Sequence, residues 1–267
     1  MPGLEALTLS LAVRMGATAL FVLAMSWLVA RARPGLASAA IAMPVVIGPG
    51  FLFMAMERDP AFVMRAAEDG LGALAGTVAF AGSAALLAGR LPRSVVLGAA
   101  LLAWAACVAA AAGTTGLLGN LLAFALAWGV GMVILRAGPA RAVRRPVSWS
   151  PRPEAARALA AGGLVGIVTV TAGGLGPTLS GTLIALPVGL LFVAAGVLRP
   201  ENAAAARGVM TAGARGTLAL ALFLAVLRLV LAADLPPVEA VLAATLASVA
   251  LAMLLGLLWR SAMRVEP

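Results

Sequence analysis

Histidine, lysine and tyrosine are absent from this chain, cysteine occurs once, and charged residues make up only 11% of its 267 positions. Each shortage closes off a class of function. With no histidine, one thiol and no carboxylate pair at a useful spacing, neither a metal-ligand set nor an activated nucleophile can be assembled, so enzyme chemistry is poorly supported. No cofactor is expected, because no Walker or dinucleotide fingerprint accompanies the glycines. The single Cys107 excludes an internal disulfide and, set mid-way in an apolar stretch, reads as a small buried apolar residue.

What the chain does have is apolar surface. Hydrophobic residues reach 63% and mean hydropathy is +1.08, where a soluble domain carries about 45–50% apolar and about 25% charged residues. Apolar stretches near twenty residues long recur from end to end, which makes the chain a polytopic membrane protein. The first, from Leu7 to Ala30, is too long for a signal-peptide core and lacks a basic leader, so it reads as a retained helix. All 19 basic residues are Arg. With the Ala and Gly load, this suggests a bacterial gene of high GC content. The strongly basic balance does not imply nucleic acid, because the Arg residues lie in short loops and not on one soluble face.

Nine helical spans are expected, at 7–30, 35–56, 62–89, 94–112, 115–136, 157–174, 178–198, 206–231 and 238–259. The pair within 94–136 is divided only by Gly113-Thr114-Thr115-Gly116. Placing the amino terminus outside and the carboxyl terminus in the cytoplasm puts 14 of the 19 Arg residues in cytoplasmic segments. Outer loops then keep Arg58 and Arg65 beside acidic neighbours, and Arg14, Arg215 and Arg228 fall inside spans. Alternate loops obey the positive-inside bias, which predicts a multi-pass protein of the bacterial inner membrane. The stretch 136–157, rich in Arg and Pro, reads as a cytoplasmic linker able to touch anionic headgroups.

The strings IAMPV (41–45) and IALPV (184–188) stand 143 residues apart, and at that offset Pro34 matches Pro177, Leu36 matches Leu179 and Arg14 matches Arg157. Further on the register slips by three, setting Gly76-Thr77 against Gly216-Thr217. The predicted fold is thus an all-α transmembrane bundle: a four-span repeat (1–112), a bridging span (113–136), the linker (137–156) and a second four-span repeat (157–267). One span between the halves inverts the second relative to the first, a build common among secondary transporters, with sites at the repeat interface. Pro44 and Pro187 deprive a helical carbonyl of its N–H partner and kink their spans, either to line a site or merely to shape packing. Pro49, between Gly48 and Gly50, should leave the second span more broken than the seventh.

Polar groups inside spans supply the remaining candidates. Thr169, Thr171 and Ser180 flank the glycines of TVTAGGLGPTLSGT, where hydroxyls either meet a small ligand or satisfy backbone carbonyls. Arg215 lies about 12 Å into the eighth span. An Arg at a span centre costs about 2.5–3.5 kcal/mol, so it serves either as an anion-binding group or by snorkelling to headgroups. Glu68 and Asp69 are its candidate acidic counterparts, although adjacent helical positions point about 100° apart and make a poor acid–base pair. Arg14 is expected to snorkel outward and Asn120 to bond across a helix interface. Gly72/Gly76 and Gly162/Gly166 read as close-packing faces.

The stretch from Arg33 to Leu87 (RPGLASAAIAMP, then AAEDGLGALAG) resembles the GlpM-like small inner-membrane proteins of bacteria, which have about four spans and an Arg-Pro-led second helix with a mid-helix Pro. The likeness extends more weakly over Pro177 to Leu229, as though two units were fused, with Gly176 where the Arg before the Pro would stand. It implies a fold and a loose association with envelope polysaccharide production, and no catalytic residue.

Two functions fit. One is a permease for a small solute, with Arg215 favouring an anion; the other is a non-transporting accessory protein that scaffolds an envelope assembly, as a homo-oligomer or with a membrane partner. In either case the bilayer is the main partner, and Arg215, Pro44, Pro187, Thr169, Thr171, Ser180, Glu68 and Asp69 are the residues to locate. Reporter fusions in 113–116 and in 137–152 should report opposite compartments; the same compartment from both would remove the bridging span and the inversion with it.

Overall fold

The structure, a computed structural model, describes residues 11–20, 23–24, 47–136, 151–198 and 203–262. Within them the chain is helical almost throughout, with no strand. The helices are α1 (Leu11–Leu20), α2 (Ile47–Glu57), α3 (Pro60–Leu87), α4 (Arg93–Ala111), α5 (Gly116–Arg136), α6 (Pro151–Ile184), α7 (Val188–Val197), α8 (Ala203–Ala232) and α9 (Pro237–Ala262). Five of these, α3, α4, α5, α8 and α9, are long and apolar enough to cross a membrane, as a multi-pass protein requires.

Local chemistry sets the boundaries. Asp59 caps α3, its Oδ1 accepting the Phe62 N–H at 2.9 Å, and Pro60 begins the helix where a missing N–H costs nothing. Residues 94–136 form two helices, parted at Gly116, whose φ of 72° suits glycine. Pro49 falls in the first turn of α2 and so does not interrupt it; the preceding stretch with Pro44 lies outside the described residues. α6 starts at Pro151, inside the expected linker, because Pro is tolerated in a first turn and Glu154 there suits the helix dipole. It then bends sharply at Gly176 (φ 75°, ψ 171°) before Pro177, which separates the expected sixth and seventh spans.

α3 is the hub. It packs on α8, α4, α5 and α6, and 78% of its most apolar stretch is buried, against 11% for α4. α4 therefore turns most of its surface outward, and Cys107 on it is half-buried, not the buried residue expected. α8 runs antiparallel to α3: Arg228 meets Glu68 at one end, and at the other the Arg207 Nε donates to the Ala85 carbonyl at 3.1 Å. α9 covers α8 and α2, α7 touches α8, α6 and α4, and α2 packs on α6.

Two large apolar clusters stand out among the described residues. Large side chains dominate the first, at the Glu68 end: Phe51, Met54, Leu71, Leu74, Ile184 and Phe223, with the Phe51 and Phe223 rings edge-to-face at 6.0 Å. The second, at the Arg207 end, is built largely of alanine: Ala81, Ala84, Ala85, Ala88, Ala206 and Ala214 around Phe80 and Met210.

Glycine lets backbones touch. A Cβ on Gly162 would collide with the Met15 carbonyl, and one on Gly166 with the Met15 side chain, so α1 seats directly on α6. On α3, Gly76 faces the Trp104 carbonyl, where a Cβ would come within 2.8 Å, and Gly72 faces Asn120. The closest approach is Gly181 of α6 against the Ala66 carbonyl of α3. Gly181→Leu should therefore destabilise the fold by about 1–3 kcal/mol, as overpacking does. Thermal unfolding in detergent should show a midpoint several degrees lower, while Gly98→Leu, on open α4 surface, should leave it in place.

Candidate functional site

IALPV is where the chain breaks. Pro187 has no N–H, so Leu183 cannot receive its usual helical bond, and its carbonyl takes the Leu186 N–H at 3.1 Å instead. The Val188 N–H folds back onto the Leu186 carbonyl at 2.7 Å, and helical bonding resumes with Leu191 N–H to Pro187 at 2.8 Å. The result is a discontinuous helix, α6 ending at Ile184 and α7 starting at Val188, with Ala185 and Pro187 both buried. In hydrocarbon a loosened backbone must be satisfied by a neighbour. Thr77 of α3 does this: its buried hydroxyl donates to the Ala185 carbonyl at 3.3 Å.

Thr77 lies midway along α3 between the Glu68 and Ala85 contacts, and Thr217 lies midway along α8 between Arg228 and Arg207. Thr217 is also buried, and its hydroxyl donates to the Ala214 carbonyl at 2.7 Å, which accepts the Trp128 indole N–H of α5 at 3.1 Å as well. A thin polar layer of two hydroxyls and two main-chain carbonyls therefore divides the two apolar clusters. On its flank the Ile184 side chain fills the space that Gly50 of α2 leaves open.

The predicted site residues divide around this layer. Pro187 forms the break and Ser180 is fully buried one turn before Ile184, but its hydroxyl bonds the Gly176 carbonyl at 2.8 Å and braces that bend. Thr171 turns its hydroxyl onto the Ile167 carbonyl of its own helix at 2.6 Å, the backbone-satisfying role. The Thr169 backbone is helical. Pro44 lies outside the described residues.

Glu68 does not face Arg215. Its carboxylate accepts the Arg228 Nε–H at 2.5 Å, joining α3 to α8. Thirteen residues separate Arg215 from Arg228, about 20 Å along α8, so the antiparallel pairing puts them at different depths. Asp69, one position on, is half-buried and makes no ion pair among the described residues. Arg215 is half-buried in the half of the bundle that carries Arg136, its like-charged neighbour. Arg14 is nearly fully buried, its guanidinium paired with Glu57 and set 5.8 Å from the centre of the Phe53 ring. It does point toward the end of α2 that carries Glu57, but as a helix-to-helix tie rather than by snorkelling. Asn120 accepts from Thr114 in the preceding turn at 2.8 Å and donates to the Gly116 carbonyl of its own helix at 3.1 Å, and it packs on Gly72 of α3.

Sequence reasoning missed Thr77 and Thr217 as site residues, though it had aligned them as repeat partners, and missed Arg228 as the partner of Glu68. The signal for Arg228 was its place near the end of α8, opposite the half of α3 that carries Glu68, in an antiparallel pair. No group of three or more His, Cys, Asp or Glu that could hold a metal occurs among the described residues.

Thr77→Val should remove the bond to Ala185 at a cost of about 0.6 kcal/mol, the average for an interhelical bond in a membrane protein. Backbone exchange at 185–191 should rise in Thr77→Val and stay near the parent level in Thr77→Ser; equal exchange in all three would show that the hydroxyl does not brace the break. No family model matches this chain, and no curated protein and no solved structure matches it.

Proposed function

We propose that this chain is a transporter of a small solute, built as two inverted four-span repeats around a bridging span and working at the layer of Thr77, Thr217 and the IALPV break. The observation that carries the reading is the pairing of corresponding helices. In an inverted repeat, equivalent helices meet antiparallel across a twofold axis lying in the membrane plane. α1 meets the first part of α6, Leu11 and Met15 facing Gly166 and Met15 and Ala19 facing Gly162 in antiparallel order; α2 meets the second part of α6; α3 meets α8. In the last pair Thr77 and Thr217, the residues that the repeat aligns, each lie midway between the two ties that join the helices.

Two further pairs of contacts follow the same symmetry. α2 against α9 is answered by α7 against α4, and α3 against α4 by α8 against α9. α5 packs on both central helices, as a bridging span should. A broken helix at mid-depth, next to the crossing of two repeats, is where transporters of this build hold their solutes. By the Arg bias the Glu68 end faces outward and the Arg207 end faces the cytoplasm of a bacterial inner membrane. Arg215 then stands between the polar layer and the cytoplasmic face, where its charge attracts an anionic solute. The likeness to GlpM-like proteins fits a duplicated four-span unit and adds no chemistry.

The scaffold reading is favoured by how few polar groups lie in the layer and by how many hydroxyls are spent on their own helices, as at Thr171, Thr211 and Thr245. Flux separates the two. Arg215→Ala should abolish uptake or efflux of small anions in vesicles while insertion stays normal; unchanged flux would remove Arg215 from the mechanism. Cysteines placed beside Pro187 should be labelled from each face in turn as conditions change, and labelling from neither face under any condition would favour the scaffold.

A further inference from the structure

The two ends of the central helix pair are locked by different chemistry. At the Glu68 end the tie is ionic and joins side chains of both halves, Glu68 on α3 and Arg228 on α8, with side-chain exposures of 15% and 27%. The repeat register, an offset of 140 residues here, maps Glu68 onto Gly208 and Arg228 onto Ala88. The equivalent place at the opposite end therefore holds a glycine and an alanine. There the tie is a guanidinium on a main-chain carbonyl, Arg207 to Ala85, beside a second one from Arg93 to the Ala195 carbonyl at 3.2 Å. Two ends that pseudosymmetry would make alike are thus closed by a carboxylate–guanidinium pair at one and by guanidinium–carbonyl bonds at the other.

The ionic end is also where α3 has least room. Ala66 and Gly70 lie against Gly181 with backbone touching backbone, and the Leu224 side chain of α8 meets the same face of Gly70. Glu68 sits between these two contact residues in the sequence. Along the two helices Gly70 and Leu224 lie between the ion pair and the layer of Thr77 and Thr217, and the ion pair is a polar contact joining α3 to α8 at this end. A charge pair in this position is strong when closed and dry, and weak once water reaches it.

We infer that the Glu68–Arg228 pair is a latch on one side of the proposed solute pathway: it holds the Glu68 end of the two halves closed, and its release exposes the polar layer to that face alone. The inference rests on the transport reading for its purpose but not for its measurement. A single Ala185→Cys reporter in a Cys107→Ala background keeps the carbonyl that Thr77 bonds and can be labelled by a membrane-impermeant maleimide with no solute present.

In sealed vesicles, Glu68→Gln and Arg228→Gln should each speed labelling from the Glu68 face by roughly fivefold to tenfold, the population shift expected from loss of a partly buried charge pair. Labelling from the Arg207 face should not rise. The double exchange Glu68→Arg with Arg228→Glu keeps both charges in place and should return labelling to the parent rate, which a mere loosening of the fold would not allow. Unchanged labelling in both single variants, or a double exchange as fast as the singles, overturns the latch. A chain that carries flux with an unresponsive reporter removes the latch alone, and a responsive reporter in a chain without flux removes the transport reading alone.

Discussion

A helix interrupted inside an apolar medium must find partners for its own backbone, because no water is at hand to supply them. That constraint organises this bundle. The chain breaks at Ala185-Leu186-Pro187, and one hydroxyl, on Thr77, reaches a carbonyl that the break loosens. For Thr77 to be there, α3 must run through the centre of the bundle at the depth of the break, and the glycines and alanines along it let three other helices come close. The antiparallel partner α8 completes the layer with Thr217.

Close approach also explains the composition. Helices in lipid gain nothing from hiding apolar surface from one another, since the tails are as apolar as leucine, so adhesion has to come from contact itself. Small residues supply it by bringing backbones together, as Gly181 does against Ala66 and Gly162 against Met15. Leucine, in contrast, is prominent on the outward faces: Leu102, Leu118, Leu122, Leu126 and Leu246 are all strongly exposed.

Much of this was legible in the residues. The all-helical architecture, the division of 94–136 into two helices and the packing role of the paired glycines follow from hydropathy and spacing, which are local properties. The break at Pro187 was legible for the same reason, because proline acts on its own backbone. Partnerships were not. Which carboxylate meets which guanidinium depends on the depth at which two helices cross, and a pattern along one helix carries no depth relative to another; Glu68 therefore went to Arg215 on paper and to Arg228 in space. Thr77 was missed because a threonine in a span is ordinary until a carbonyl without a helical partner lies beside it. The early start of α6 escaped notice because Pro and Arg look like linker, whereas Pro151 and Glu154 are good first-turn residues.

The two ties on α3 and α8 also act as a ruler. Twenty residues of helix span about 30 Å, the thickness of a typical hydrocarbon core. Glu68 and Ala85 on α3 stand 17 residues apart and Arg207 and Arg228 on α8 stand 21 apart, about 26 Å and about 32 Å of helix, close to that length. Both helices are longer than this, at 28 and 30 residues, so their remaining turns reach into the headgroups. In a hydrocarbon core of that thickness centred on Thr77 and Thr217, the ionic tie sits at the seam between acyl chains and headgroups, where dielectric changes most steeply with depth. Lengthening the acyl chains of the bilayer draws that seam outward over Glu68 and Arg228 and tightens their attraction, while shorter chains leave the pair in wetter surroundings and weaken it. Lipid chain length thereby becomes a variable to which one end of the molecule responds and the other, tied through carbonyls, responds far less.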